Sequence, residues 1–307
     1  WQGPEWLLLV LAALVGALPS MPAMVRARWT VLLRGTPQLQ TAYALEAVLD
    51  DVCFIVGPPL SVGLSMVLFP EAGPLAASLL LLVGVALFVA QRRTEPPVDT
   101  SQRRTRQQSL ARHPVVRTLA LFMLAQGIIV GTIDVASVAF ATQQGQPAAA
   151  SIVLSFYALG SCVMGLVFGT LRLKAPLHRQ IAWVGASVCI TAVPLLLATN
   201  VFTLTLAVLL AGITFGPTIT VAMGLVEQQV PPQRLTEGMT WLLTGIAMGV
   251  ALGAAAAGWA TDLWGARISF VVALLAGAVM WALGVLAARQ ARAKESPPAE
   301  EAAAACT

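Results

Sequence analysis

The chain has 307 residues, of which 58% are apolar and 10% charged, with a mean hydropathy of +0.81 and a formal net charge of +4. Soluble domains carry about a quarter charged residues, so an ordinary cytosolic enzyme is excluded. With a membrane-crossing helix needing ~20 apolar residues, most of the chain is membrane, and the positive charge matters by its placement rather than as a sign of nucleic acid.

In chain order, apolar runs of spanning length fall at 6–25, 42–69, 72–90, 115–141, 148–171, 180–199, 201–226, 238–260 and 268–287. That predicts nine transmembrane helices in an all-α polytopic membrane protein. The second run is long and carries Glu46, Asp50 and Asp51; the sixth and seventh are parted only by a turn around Asn200. Positively charged loops stay cytoplasmic. Of the 18 Lys and Arg residues all but Arg267 fall on one side of the nine-span arrangement. The C-terminus is therefore expected in the cytoplasm and the start of the chain outside. Trp1 to Glu5 hold no basic segment or initiator Met that would export them, so further spans are expected upstream.

The organisation expected is an N-terminal remnant of three spans (1–90), a cytoplasmic linker (91–113), a six-span half (114–289) and a disordered cytoplasmic tail (290–307). The linker QRRTEPPVDTSQRRTRQQSLARH is basic, polar and Pro-containing, and the tail is rich in Pro, Glu and Ala. The cysteines Cys53, Cys162, Cys189 and Cys306 show no metal-ligand or redox spacing. Both histidines, His113 and His178, fall in loops, so neither a buried Ser–His pair nor an HExxH zinc site is present in the sequence, and no Gly-rich phosphate loop exists. No catalytic residue, metal or cofactor is expected, and the chain reads as no enzyme.

Three-span groups recur, and the spans at 42–64 and 234–258 are alike: each opens with an acidic residue, Glu46 or Glu237, and continues into spaced glycines, Gly57 and Gly63 or Gly245, Gly249 and Gly253. Repeated three-span units build many secondary transporters. Four segments then carry a family resemblance. PSMPAMVRARW (19–29) is similar to the proline-bearing fourth helix and basic loop of bacterial members of the major facilitator superfamily. VGPPLSVG (56–63) resembles the Gly-Pro motif of the fifth helix of efflux members, without its doubled glycine. GWATDLWGARISF (258–270) follows Gly-x-x-x-Asp-x-x-Gly-x-Arg through Gly258, Asp262, Gly265 and Arg267, and GTLRLKAPLHR (169–179) keeps that pattern's basic residues without its Asp. The resemblance implies a bundle of twelve spans in two halves, of which this chain resembles spans four to twelve.

An ionisable group within a span costs roughly 2.5–3.5 kcal/mol on insertion scales, so each needs a role. Asp134, two turns after Gln126 and beside Thr132 and Ser137, reads either as a proton, cation or substrate site or as a hydrogen-bonded residue near a helix end. By the resemblance it lies on a helix lining the central cavity. Glu46, Asp50 and Asp51 read as a proton-coupling cluster or as a charge network with Arg26, Arg28 or the basic loop 172–179, the network being favoured. Asp262 and Arg267 join that gating set. Gly245, Gly249 and Gly253 form a ridge for close helix approach, whose partner is expected in the missing upstream unit. Phe215, Gly216, Pro217 and Thr218 suggest a cavity-lining bend, as do Pro19 and Pro22.

The resulting expectation is a monomeric, bacterial-type inner (plasma) membrane transporter. It would move a small, amphipathic molecule by alternating access, with H+ as coupling ion and efflux as direction. A membrane scaffold or truncated, non-transporting chain is the competing reading.

Overall fold

Within a bilayer a chain must satisfy its own backbone hydrogen bonds, which leaves helices or a closed barrel. A computed structural model describes residues 21–33, 38–94, 110, 113–170, 175–231 and 234–295. All regular structure among them is helical: α1 (Met21–Leu32), α2 (Gln38–Val67), α3 (Ala72–Ala90), a 3-10 turn (Arg92–Thr94), α4 (Pro114–Gln143), α5 (Ala149–Thr170), α6 (Leu177–Leu197), α7 (Val201–Ile213), α8 (Phe215–Gln229), α9 (Leu235–Trp264) and α10 (Ala266–Glu295).

Seven helices among the described residues are long and apolar enough to cross a membrane, not nine: Ala72–Ala90, Pro114–Gln143, Ala149–Phe168, Leu177–Leu197, Val201–Gln229, Glu237–Trp264 and Ala266–Arg292. The difference lies at the start. Most of the expected span 6–25 is outside the described residues, and α2 is apolar only over Val52–Val67. Its first half carries Glu46, Asp50 and Asp51, which lower its hydropathy. Most of the linker 91–113 and the tail from 296 also lie outside the described residues.

The chain divides into two compact units, one of residues 1–50 and 74–104, the other of 51–73 and 105–307. In the first, Arg28 of α1 lies 3.7 Å from the centre of the Phe88 ring, and its Nη1 donates to Gln91 O (3.1 Å) and Thr94 Oγ1 (3.2 Å). Arg28 thereby closes the last turn of α3.

The second unit is assembled from helix pairs that meet through glycine. Lipid tails are as apolar as leucine, so helices in a bilayer associate by close packing, for which small residues serve best. Along α4 and α9, a Cβ on Gly127 or Gly131 would strike the backbone of Ile246 or Val250. A Cβ on Gly245, Gly249 or Gly253 would strike that of Ala120, Leu124 or Ile128. The ridge on α9 thus has its partner in α4 of the same unit, which corrects the expectation that the partner belongs to an upstream segment. The 42–64 likeness misled, because Gly57 and Gly63 have nothing within 4 Å of an added Cβ. Gly160 of α5 meets Leu209 and Gly212 of α7 similarly, and Gly277 of α10 meets Cys189 of α6.

Two junctions follow from local sequence. Between α6 and α7, Thr203 N donates to Asn200 Oδ1 (2.9 Å) and Asn200 N to Thr203 Oγ1 (3.1 Å), a reciprocal cap that restarts the helix after one turn. Between α9 and α10 the chain reverses at Gly265 with φ of 87°, a conformation that favours glycine.

Candidate functional site

Helix α4 is the most buried of the seven spanning helices: Leu119, Phe122, Met123 and Ile133 are at most 1% exposed. A polar stripe runs through this apolar body. Gln126 is 1% exposed, and Thr132 and Ser137 are fully buried. Thr132 Oγ1 donates to Ile128 O at 2.7 Å and is satisfied within its helix. Gln126 Oε1, Ser137 Oγ and, across on α5, Tyr157 Oη are buried with no hydrogen-bond partner. Gln126 and Asp134 act on the Tyr157 hydroxyl electrostatically, without forming a hydrogen bond of good geometry to it.

At 3.6 residues per turn, eleven residues bring the helix back to within ~20° while eight leave it ~80° away. Gln126 and Ser137 therefore share the buried stripe, whereas Asp134 sits on the exposed side of α4. A carboxylate at the edge of a buried amide and a phenol is an arrangement that can take a proton or a cation from one side while offering neutral polar groups on the other. Leaving a buried polar group unpaired costs about 1–3 kcal/mol, so three such groups on these two helices favour a polar guest.

Phe215 packs on Tyr157 with ring centroids 5.8 Å apart and planes at 59°. It begins α8, immediately after the interruption at Thr214. Pro217 has no N–H to give the carbonyl of Ile213 four residues back, and the helix restarts there. Thr214 Oγ1 donates to Ala211 O (2.8 Å) and Thr218 Oγ1 to Thr214 O (2.6 Å). Each hydroxyl thus adds a second donor to a carbonyl that already accepts a backbone N–H, holding both sides of the break, which lies inside the single span Val201–Gln229.

These observations, a glycine-locked bundle of spanning helices with a polar stripe and an interrupted helix inside it, suit a transport protein. The sequence profile of the Major Facilitator Superfamily matches residues 138–306, more than half of the chain. The chain belongs to the Major Facilitator Superfamily. It is thus a multi-pass membrane protein of a transporter family. No curated protein matches the chain. Tyr157 and the α7–α8 interruption lie inside the stretch matched to the superfamily; Gln126, Asp134 and Ser137 lie just before it.

The other residues expected to serve transport are not gathered at this site. Pro19 lies outside the described residues; Pro22 and Arg26 fall in α1 and Glu46 and Asp51 in α2, with their side chains outside the description. Asp50 is half-buried. Arg28 is engaged with Phe88, Gln91 and Thr94 rather than with a carboxylate. Asp262 is exposed near the end of α9, and no ion pair joins it to Arg267 among the described residues. Arg267 Nε instead donates to Leu196 O at 2.8 Å, placing a cation at the C-terminal end of α6 where the helix dipole favours it.

Sequence reasoning missed Tyr157. The signal was available: the chain has only two tyrosines, and this one stands within an apolar span, where a phenol needs a partner.

Proposed function

We propose that this superfamily member is a secondary active transporter that moves a small amphipathic molecule by alternating access, with protons as the coupling ion and efflux as the direction. The observation that carries the reading is Asp134 at the edge of the buried, unsatisfied Gln126 and Tyr157 groups of the spanning bundle. A carboxylate there is costly unless it serves an ion or substrate. The aromatic faces of Tyr157 and Phe215 beside it suit an amphipathic cation. Competition between that cation and a proton for Asp134 would couple their movements, and the interruption at Thr214 supplies a place where packing can change without unfolding a span. A cytoplasmic C-terminus belongs to the same reading through the placement of the basic loops, and a bacterial-type plasma membrane and a monomeric state complete it.

The test is proton-driven movement of ethidium, an amphipathic cation, in proteoliposomes with an imposed pH gradient. Asp134→Asn is expected to abolish gradient-driven movement while inserting normally. Wild-type flux from Asp134→Asn across a range of pH would remove the residue from coupling. A wild-type chain that moves neither protons nor ethidium would favour the scaffold reading.

A further inference from the structure

A cavity of about 500 Å³ lies between α5, α6 and the α7–α8 interruption. Met164, Phe168, Trp183 and Val184 contribute to its wall. Its polar wall residues are already satisfied: Ser187 Oγ donates to Val184 O and Thr214 Oγ1 to Ala211 O, each at 2.8 Å. The interior therefore offers an apolar surface with no uncommitted group to hold water.

The mouth has the opposite character. Gln180 Nε2 is spent on Ala175 O at 2.6 Å, which leaves Arg179 as the lining residue with uncommitted donors. Arg179 is exposed and has no ion-pair partner among the described residues. Residues 175–180, which border the mouth, contain no carboxylate. The first turn of α6 adds the positive end of its dipole. Trp183, four residues after Arg179 and so on the same side of α6, is 77% exposed. An indole and a guanidinium at the end of a spanning helix mark the headgroup level of a bilayer.

We propose that this cavity is a binding site for an anionic phospholipid of the surrounding membrane, its acyl chain lodged against Phe168 and Val184 and its phosphate held by the fork of Arg179. Guanidinium matches phosphate with two parallel charge-assisted hydrogen bonds, and the apolar interior accepts the chain. Neither Gln126, Asp134 nor Tyr157 lines this cavity, although it borders the same α7–α8 interruption, and its apolar wall suits a lipid chain rather than a polar guest. Because it borders Thr214 and Pro217, a bound chain would also brace the interruption.

The full chain in detergent is titrated with dioleoyl phosphatidylglycerol and, separately, with dioleoyl phosphatidylcholine, and binding is read by thermal unfolding and native mass spectrometry. Phosphatidylglycerol is expected to bind and to raise the unfolding temperature, with phosphatidylcholine of the same chains markedly weaker. Arg179→Gln, at an exposed position where folding is not at stake, should weaken phosphatidylglycerol binding at least about tenfold, since glutamine cannot reproduce the charged fork. Ser187→Trp, which fills the cavity without touching Arg179, should weaken both lipids. Equal binding of the two lipids, or unchanged phosphatidylglycerol affinity in Arg179→Gln, would overturn the assignment. So would displacement of the lipid by ethidium, which would give the cavity to the transport path.

Discussion

Ser155 of α5 donates its hydroxyl hydrogen bond to the carbonyl of Ile55 in α2 at 2.6 Å, while also lying 2.9 Å from Ser151 O of its own helix. The reason is in the sequence of α2. Pro59 has no N–H, so the carbonyl four residues earlier, that of Ile55, is left without its helical donor. In a bilayer no water replaces it. Ser155 supplies what Pro59 removes.

Ser155→Ala should therefore destabilise the protein by about 1 kcal/mol, the scale of interhelical hydrogen bonds in membranes. Pro59→Ala restores the N–H at position 59 and should make the same serine substitution nearly silent. Thermal unfolding of the two single variants and the double variant measures the coupling. Additive effects would mean that the serine and the proline act independently.

The α4–α9 interlock predicts a sharp contrast among glycines. Gly249→Ala puts a methyl group against Leu124 O and within 2.9 Å of Gly127 Cα, both backbone atoms that cannot swing aside. A loss of at least ~2 kcal/mol is expected, within the range for overpacking. Gly57→Ala and Gly258→Ala, where an added Cβ meets nothing within 4 Å, should leave the unfolding temperature unchanged or slightly raised. Monodispersity and thermal unfolding of the three variants check this.

Much of this architecture was legible because lipid imposes simple rules. Six of the expected spans, from 115 to 287, recur as helices of spanning length and composition, since apolar runs are long and turns such as Asn200 carry their own caps. The α2 span was harder, because three carboxylates and two prolines break the pattern that hydropathy follows. Partners across helices were not legible at all. Periodicity says that Gly245, Gly249 and Gly253 share a face, yet only the fold shows that Gly127 and Gly131 receive them. Gln126 and Asp134 illustrate the same limit within one helix: two turns of spacing suggested a common face, but the extra fifth of a turn separates a buried amide from an exposed carboxylate.

The end of the linker is fastened, and this is testable with a protease. Leu110 is 5% exposed, and its backbone N–H donates to Glu237 Oε1 at 2.9 Å; Arg234 Nη2 holds the other carboxylate oxygen at 2.8 Å. The ion pair is partly exposed and contributes little by itself, so the effect of Glu237→Ala should fall on local opening rather than global stability. Limited trypsin digestion should cut faster at Arg112 and Arg117 in Glu237→Ala, with the unfolding temperature nearly unchanged. Glu237→Gln, which keeps an acceptor for Leu110, should be cut more slowly than the alanine variant. Identical digestion of all three proteins would show that the contact does not restrain the linker.

Gln126 and Tyr157 offer the test that best separates function from packing. If their unsatisfied polar atoms are only a defect of the core, replacing them with apolar groups of similar shape should improve the protein without cost. Such a replacement removes the penalty for a buried unpaired group, about 1–3 kcal/mol. Gln126→Met and Tyr157→Phe are accordingly expected to unfold at the same or a higher temperature than wild type. If these atoms instead receive substrate or proton during the cycle, the same two variants should lose most of the gradient-driven ethidium flux. Stability would rise or hold while activity falls, a trade expected where a polar guest rather than the resting fold uses the groups. The decisive comparison is the ratio of flux to folded protein in matched proteoliposomes. More stable variants with undiminished flux would leave the stripe as a packing feature and return the search for the transport site to Asp134 alone.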